Sequence, residues 1–318
     1  MTITDIYEAR KCLQNIIRKT PLINSGISDK CNLFLKPENL QLTGSYKIRG
    51  AYNKISRLTD AEKQQGIIAC SAGNHAQGVA YSAQKLGIHA VICMPESAPQ
   101  VKVEATHKMG AEIVLVPGTF DDAYQRSLEL QKEHGYTFIH PFDDETVIAG
   151  QGTIGLEIME ELPDADIIIC PVGGGGLISG IAIAAKTINP EIKVYGVQSS
   201  GAPSMYASMA GGYIAQLSRM NTIADGIAVG KVGGLTFNYA RQYVDDIFVV
   251  SDGKIAKAIK VLMTAEKLVA EGAGAAPLAA LLADYIPGIE KDKKVVCVIS
   301  GGNIDIPLLA KLTTWEIG

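Results

Sequence analysis

The chemistry in this chain starts with a lysine. In the run Gly44-Ser45-Tyr46-Lys47-Ile48-Arg49-Gly50, apolar residues continue at Ile48, Ala51, Tyr52, Ile55 and Leu58, which is helical spacing. Ser45 stands where an N-cap would, so Lys47 is expected in the first helical turn. The positive end of a helix disfavours a second cation there and favours a neutral amine, the form that acts as nucleophile or base. A solvated lysine snorkelling out of the turn is the plainer alternative, and this stretch alone leaves both open.

Three turns that follow strand-like runs add to it. Ligands in open α/β sheets gather beyond the carboxyl ends of strands. Ser71-Ala72-Gly73-Asn74-His75 precedes a helix opening at Ala76, and amides at that helix start suit a carboxylate. The same residue types also make an ordinary turn, with Asn74 as helix cap. His75 is expected to pack or cap and is given no proton-transfer role. Gly173, Gly174, Gly175 and Gly176 lie between an apolar run and a helix starting at Leu177. One glycine suffices for a turn, so four point to a backbone loop wrapped around a phosphate. No Gly-Lys-Ser/Thr follows, and no register reads Gly-x-Gly-x-x-Gly, so neither nucleotide fingerprint is present. Ser300-Gly301-Gly302-Asn303 ends the last strand-like run, with Ser300 projecting from the strand end and glycines leaving room for a flat group. An activated lysine beside a phosphate cradle is what pyridoxal 5'-phosphate requires.

The elements that must position these groups alternate. Strand-like runs fall at residues 32–35, 66–70, 89–94, 111–116, 137–140, 166–172, 193–198, 245–250 and 295–299. Amphipathic stretches at 76–86, 122–134, 154–162 and 255–269 lie among them. This pattern predicts an α/β fold with mostly parallel sheets. Before it, Ile6, Ala9, Leu13, Ile16 and Ile17 make one face of an N-terminal helix that is expected to run up to Thr20-Pro21. A chain of 318 residues with 47% hydrophobic content can build two lobes with separate cores. The net charge of −4, with no basic run, argues against nucleic acid as the partner. Six scattered cysteines without metal-ligand spacing read as buried thiols in a reducing compartment. No signal peptide is visible, and Pro171 with the four glycines interrupts the one long uncharged segment, so no membrane association is expected and the location is read as cytoplasmic.

Taken together, Gly44-Ser45-Tyr46-Lys47-Ile48-Arg49-Gly50-Ala51, Ser71-Ala72-Gly73-Asn74-His75-Ala76-Gln77-Gly78, the four glycines with Leu177, and Ser300-Gly301-Gly302-Asn303 closely resemble the serine/threonine dehydratase family of fold-type-II pyridoxal-phosphate enzymes. Ala149-Gly150-Gln151-Gly152-Thr153 and Glu271-Gly272-Ala273-Gly274-Ala275 extend the resemblance over nearly the whole chain. It is nearest to short catabolic threonine dehydratases, with serine racemase next. The resemblance implies two lobes, each with a mostly parallel sheet flanked by helices: a large cofactor-binding domain of residues 1–52 and 143–318, and a small domain of residues 53–142 carrying the substrate-carboxylate turn. It implies that Lys47 bonds the cofactor covalently and serves as the catalytic base. Tyr46 then lies against the ring, where the family more often has Phe. Asn74 hydrogen-bonds the ring hydroxyl, residues 173–176 with the Leu177 amide hold the phosphate, Ser300 faces the ring nitrogen, and Ser71, Ala72, Gly73, Asn74 and His75 receive the substrate carboxylate.

The implied reaction is β-elimination of L-threonine to 2-oxobutanoate and ammonia, and of L-serine to pyruvate. Serine racemase with side dehydratase activity is the alternative. Against it, Ala72 stands where that family has an acid/base serine, and Gln198 and Ser204 align by eye with its acidic cation ligands; no metal site is expected. The family further implies a small amino-acid substrate and a homodimer or homotetramer, and leaves a nucleotide activator open. Because the sequence stops soon after Asn303, feedback through an added C-terminal regulatory domain is not expected.

Overall fold

The structure, a computed structural model, describes residues 1–314. The first part of the chain forms α1 (Ile3–Leu13), β1 (Ile23–Ser25), β2 (Asn32–Pro37), α2 (Lys47–Ser56) and α3 (Asp60–Gln65). Then come β3 (Ile67–Cys70), α4 (Asn74–Leu86), β4 (Ala90–Pro95), α5 (Gln100–Lys108), β5 (Glu112–Val116), α6 (Phe120–His134) and β6 (Thr137–Phe138). The remainder forms α7 (Glu145–Glu161), β7 (Ile167–Pro171), α8 (Gly176–Ile188), β8 (Lys193–Ser199), α9 (Ser204–Gly211), α10 (Gly234–Tyr243), β9 (Asp246–Val250), α11 (Asp252–Val261), α12 (Gly272–Leu282), β10 (Lys294–Ile299) and α13 (Ile306–Thr314).

The strands fall into two sheets. One runs β1-β2-β10-β7-β8-β9, parallel except for the short edge strand β1. The other runs β5-β4-β3-β6 and is parallel throughout. The α/β expectation with mostly parallel sheets therefore holds. The reason is visible in β3 and β7, which are buried at every position. A strand covered on both faces reads as a continuous apolar run, and parallel strands need helical crossovers to supply that cover. All four strands of the second sheet come from between Ile67 and Phe138. Helix α2 runs unbroken across position 52/53 and packs against both α4 and α7, so it belongs to neither side by packing alone.

Close helix contacts fix α2. A Cβ at Gly150 of α7 would meet the Arg49 carbonyl oxygen at 2.6 Å, and one at Gly78 of α4 would meet the Lys47 carbonyl carbon at 3.1 Å. Two neighbours thus press on its first turns where only glycine lets backbones approach.

Several boundaries differ from the sequence reading. Helix α1 stops at Leu13, because Asn15 adopts φ 64°, a left-handed conformation; Ile16 and Ile17 lie beyond the helix, well before Pro21. Helix α7 begins at Glu145 instead of Ile154, its first amides accepted by Asp144 Oδ1. The helix read at 255–269 is α11 followed by a π-turn over Leu262–Glu266, and Lys267 at φ 60° closes it. The strand read at 137–140 pairs only over Thr137–Phe138. Among the described residues, no helix is long and apolar enough to cross a membrane.

Candidate active site

Lys47 is the first residue of α2, as the spacing predicted, but Ser45 is not its cap. Tyr46 occupies the N-cap position with no side-chain cap bond. Ser45 instead pairs its backbone with Gly301, and its buried hydroxyl has no protein partner. The Lys47 amine donates to the Pro141 carbonyl at 2.9 Å and lies 5.4 Å from the centre of the Tyr46 ring. Burial pushes its pKa down to about 8, against the pull of Glu271. The snorkelling alternative is excluded by this geometry.

The residues after Lys47 anchor it. Arg49 is fully buried and bidentate to Glu38 at 2.8 Å through Nε and 2.8 Å through Nη2. It also reaches Glu157 at 2.6 Å, and Lys36 meets the same carboxylate at 2.6 Å. Two cations and two anions balance inside the protein, and Thr20 and Thr153 take further bonds. No local pattern marks this network, because its members are spread over three separate elements and the turn at Glu38–Leu40.

The turn after β3 leads into α4 at Asn74, with Gly73 as uncapped N-cap. Asn74 is thus in the helix and not its cap. A Cβ at Gly73 would meet nothing within 4 Å, so the turn faces open space, with the first-turn amides of α4 unclaimed by the helix. Ser71 Oγ accepts from the Gly73 amide at 3.2 Å. Ala72 packs against the core around β3 and β4. His75 is buried, and its Nε2 donates to the Ile139 carbonyl at 2.8 Å; burial and then the Lys47 charge lower its pKa to about 3. It stays neutral.

The four glycines behave differently from the expectation that one would suffice for a turn. Each is hemmed in by protein. A Cβ at Gly173 would lie 3.2 Å from the Ile227 Cα, one at Gly174 would fall on the Phe142 ring, one at Gly175 would lie 2.7 Å from Met205 Cε, and one at Gly176 would lie 2.9 Å from the Phe142 carbonyl oxygen. Gly175 also needs its φ of +97°. Packing therefore explains the glycines, and the amides carry the case for an anion. Thr236 Oγ1 donates to the Gly174 carbonyl at 2.6 Å. Among the described residues, no protein acceptor takes the amides of Gly174, Gly175, Gly176 or Leu177, which open α8.

Contacts chain these parts together. Phe142 on the glycine loop follows Pro141, which holds Lys47. His140 Nδ1 accepts from the Phe142 and Asp143 amides at 3.2 and 2.7 Å and so shapes that turn. The Tyr46 amide donates to the Ser300 carbonyl at 3.1 Å. Ser300 is buried. Asn74 bonds Asn303 at 2.7 Å and Glu271 at 2.6 Å. A buried amine of lowered pKa, unclaimed amides at a helix start, and a serine and an asparagine brought in from other elements are a donor set that fits pyridoxal phosphate. Residues 13–301 match the family described as pyridoxal-phosphate dependent enzyme.

The chain belongs to that family. Pyridoxal phosphate is its cofactor. An L-threonine ammonia-lyase of Thermotoga maritima is 50% identical over 98% of this chain and 78% of its own length. The catabolic L-threonine dehydratase TdcB of Escherichia coli is 49% identical over 98% of this chain and 96% of its own. Among solved structures, maize serine racemase superposes with TM-score 0.94 at 38% identity, covering 98% of this chain and 96% of that one. The processed threonine deaminase isoform 2 of Solanum lycopersicum superposes with TM-score 0.91 at 39% identity, covering 98% and 91%. Sequence reasoning did not place Pro141, His140, Phe142 and Thr236 at the site. Nothing local in the sequence marks them: Pro141, Phe142 and Thr236 act through contacts distant in the chain, and His140 shapes the turn that carries Pro141 and Phe142.

Proposed function

We propose that this chain is a pyridoxal-phosphate-dependent threonine ammonia-lyase that converts L-threonine to 2-oxobutanoate and ammonia, and L-serine to pyruvate and ammonia. What carries the reading is the buried Lys47 amine held against Pro141, in a chain half-identical to an L-threonine ammonia-lyase. When bound, the cofactor supplies the electron sink that makes the substrate's α-proton acidic. Lys47 would hold the cofactor covalently, and Lys47 Nζ would be the base that takes the proton from the substrate Cα. The amides of residues 173–177 would hold the phosphate, with Thr236 orienting the loop. Asn74 would donate to the ring oxygen, Ser300 would face the ring nitrogen, and Tyr46 would lie against the ring. The turn of Ser71, Ala72, Gly73, Asn74 and His75 receives the substrate carboxylate on its amides.

The lobes follow from the same reading: residues 53–142 form a small unit presenting the carboxylate turn, and residues 1–52 and 143–318 form the unit that holds the cofactor. We also propose a homodimer or homotetramer; Tyr206 of α9 and Tyr213 and Met220 in the stretch after it are exposed. A cytoplasmic location is supported by six free cysteines, five of them buried.

The test is release of 2-oxo acid and ammonia from L-threonine, with L-serine in parallel. Equimolar release is expected, faster with threonine, and absent in Lys47→Ala. Intact mass after borohydride reduction is expected to show a cofactor adduct at Lys47. Inversion of L-serine without keto acid release would favour the racemase reading, which Ala72 opposes because a methyl group moves no proton. Repeating the assay with added nucleotides tests for an activator, and light scattering tests the assembly.

A further inference from the structure

Glu271 is the N-cap residue of α12, yet its side chain does not cap that helix. It is buried, 4% exposed, and the chemistry above does not use it. Its Oε1 accepts from Asn74 Nδ2 at 2.6 Å. On the other side, Asn74 Oδ1 accepts from Asn303 Nδ2 at 2.7 Å, and that nitrogen also donates to the Thr43 carbonyl at 2.9 Å. These bonds leave the Asn74 amide one orientation. Flipped, it would set its oxygen against a carboxylate and its nitrogen against another NH2 group. One Nδ2 hydrogen is taken by Glu271, so only the second remains for a ligand. The surroundings are shaped for the carboxylate: a Cβ at Gly301 would meet its Oε1 at 2.5 Å, and one at Gly226 at 3.2 Å.

The charged groups around it come from several elements. Asp225, in the turn Asp225–Ile227, repels it; Lys102 of α5 attracts it and is itself bound to Asp225 at 2.7 Å. Asp305 stands 3.8 Å from Lys102. Lys47 of α2 feels the Glu271 charge, and His75 and His140 in turn feel Lys47. Burial and Asp225 raise the Glu271 pKa to about 7, against the Asn74 bond, Lys102 and the Asn303 amide.

We propose that Glu271 is a positioning residue of the active site: its carboxylate fixes the Asn74 amide toward the cofactor's ring oxygen. This rests on the roles given above to Lys47 and Asn74. Above neutrality the ionised carboxylate is the stronger acceptor and anchors Asn74 firmly. Below it the protonated group anchors Asn74 less well.

The variants Glu271→Gln, Glu271→Asp and Glu271→Ala separate these effects in the holoenzyme. Gln keeps an oxygen acceptor for Asn74 and removes the charge. Two readouts stand beside the pH–rate profile: pH titration of the protein-bound cofactor's absorption band, and the cofactor Kd by equilibrium dialysis. For Glu271→Gln we expect a cofactor Kd within about threefold of wild type and loss of the spectral change near neutrality; for Glu271→Ala, a Kd weakened about tenfold or more, with Asp restoring part. A Glu271→Gln holoenzyme that keeps the wild-type spectral titration overturns the proposal, as does Glu271→Ala binding cofactor like wild type. Borohydride reduction of the wild type precedes both: without an adduct at Lys47 the reading of the site itself fails, a different result from either.

Discussion

Lys47 Nζ donates to the Pro141 carbonyl at 2.9 Å, so the amine on α2 is aimed by a loop that leaves β6. Burial lowers its pKa to about 8. The neutral amine is the form that attacks the cofactor aldehyde, so its abundance sets the rate of attachment. Adding pyridoxal phosphate to the apoenzyme is expected to give covalent attachment whose rate rises about tenfold per pH unit below that pKa and levels off above it. Rapid-mixing absorbance at a series of pH values measures this. A rate still climbing steeply at pH 10 would mean an ordinary solvated lysine.

Glu271 gives a stability prediction with a defined sign. Its folded pKa, about 7, lies above the ordinary value of 4.5, so the folded protein binds this proton more tightly than the unfolded chain does. The contribution to stability is full below the ordinary value and is lost as pH rises through the folded pKa. The Glu271→Gln apoprotein does not titrate there, so its stability relative to wild type should improve by about 3 kcal/mol between pH 4.5 and pH 8. Urea unfolding of both proteins across that range measures it, and parallel curves would contradict it.

The glycine loop yields a mutation with two readouts. Gly174→Ala drives a methyl group into the Phe142 ring, and that ring follows the Pro141 carbonyl bound by Lys47. Overpacking of this kind costs about 1–3 kcal/mol. Displacing Phe142 also disturbs the turn that His140 organises, so the variant should lose cofactor affinity beyond its loss in thermal stability. Thermal unfolding with and without cofactor separates the two effects. Unchanged cofactor affinity in a destabilised Gly174→Ala would show that the Phe142 contact is structural only.

What the sequence revealed and what it hid divide along contact range. Lys47, the Ser71–His75 turn, the four glycines and Ser300 were legible because each sits at a strand or helix end, where local spacing signals both element and exposure. The alternation of apolar runs likewise gave the parallel sheets. Ser45 misled because a serine before a helix is the usual cap, whereas here a bridge to Gly301 holds its backbone. The glycines were read from their cost as room for a ligand, and the structure adds a second reason for them, since Phe142 and Met205 fill the space beside them. Glu271 stood out only as the first residue of the Glu271–Ala275 motif, with nothing to point to Asn74, and Pro141 carried no local signal. Their partners lie 197 and 94 residues away, and only the folded chain brings them together.

The same limit applies to Arg49, two residues beyond Lys47, which gives the last prediction. It holds Glu38 at 2.8 Å and Glu157 at 2.6 Å with all the charge removed from water. Arg49→Met fits the volume but leaves Glu38 without its cation, and breaking a buried pair this way costs about 3–5 kcal/mol. Lys36 remains to compensate Glu157, so the damage should concentrate on Glu38. Adding Glu38→Gln to Arg49→Met removes the stranded charge and should recover part of the loss, because a neutral pair avoids the desolvation that an unpaired carboxylate suffers. Urea denaturation of the two single variants and the double variant measures the coupling. Additive losses would mean that the two side chains act independently, and that the network does not anchor the helix carrying Lys47.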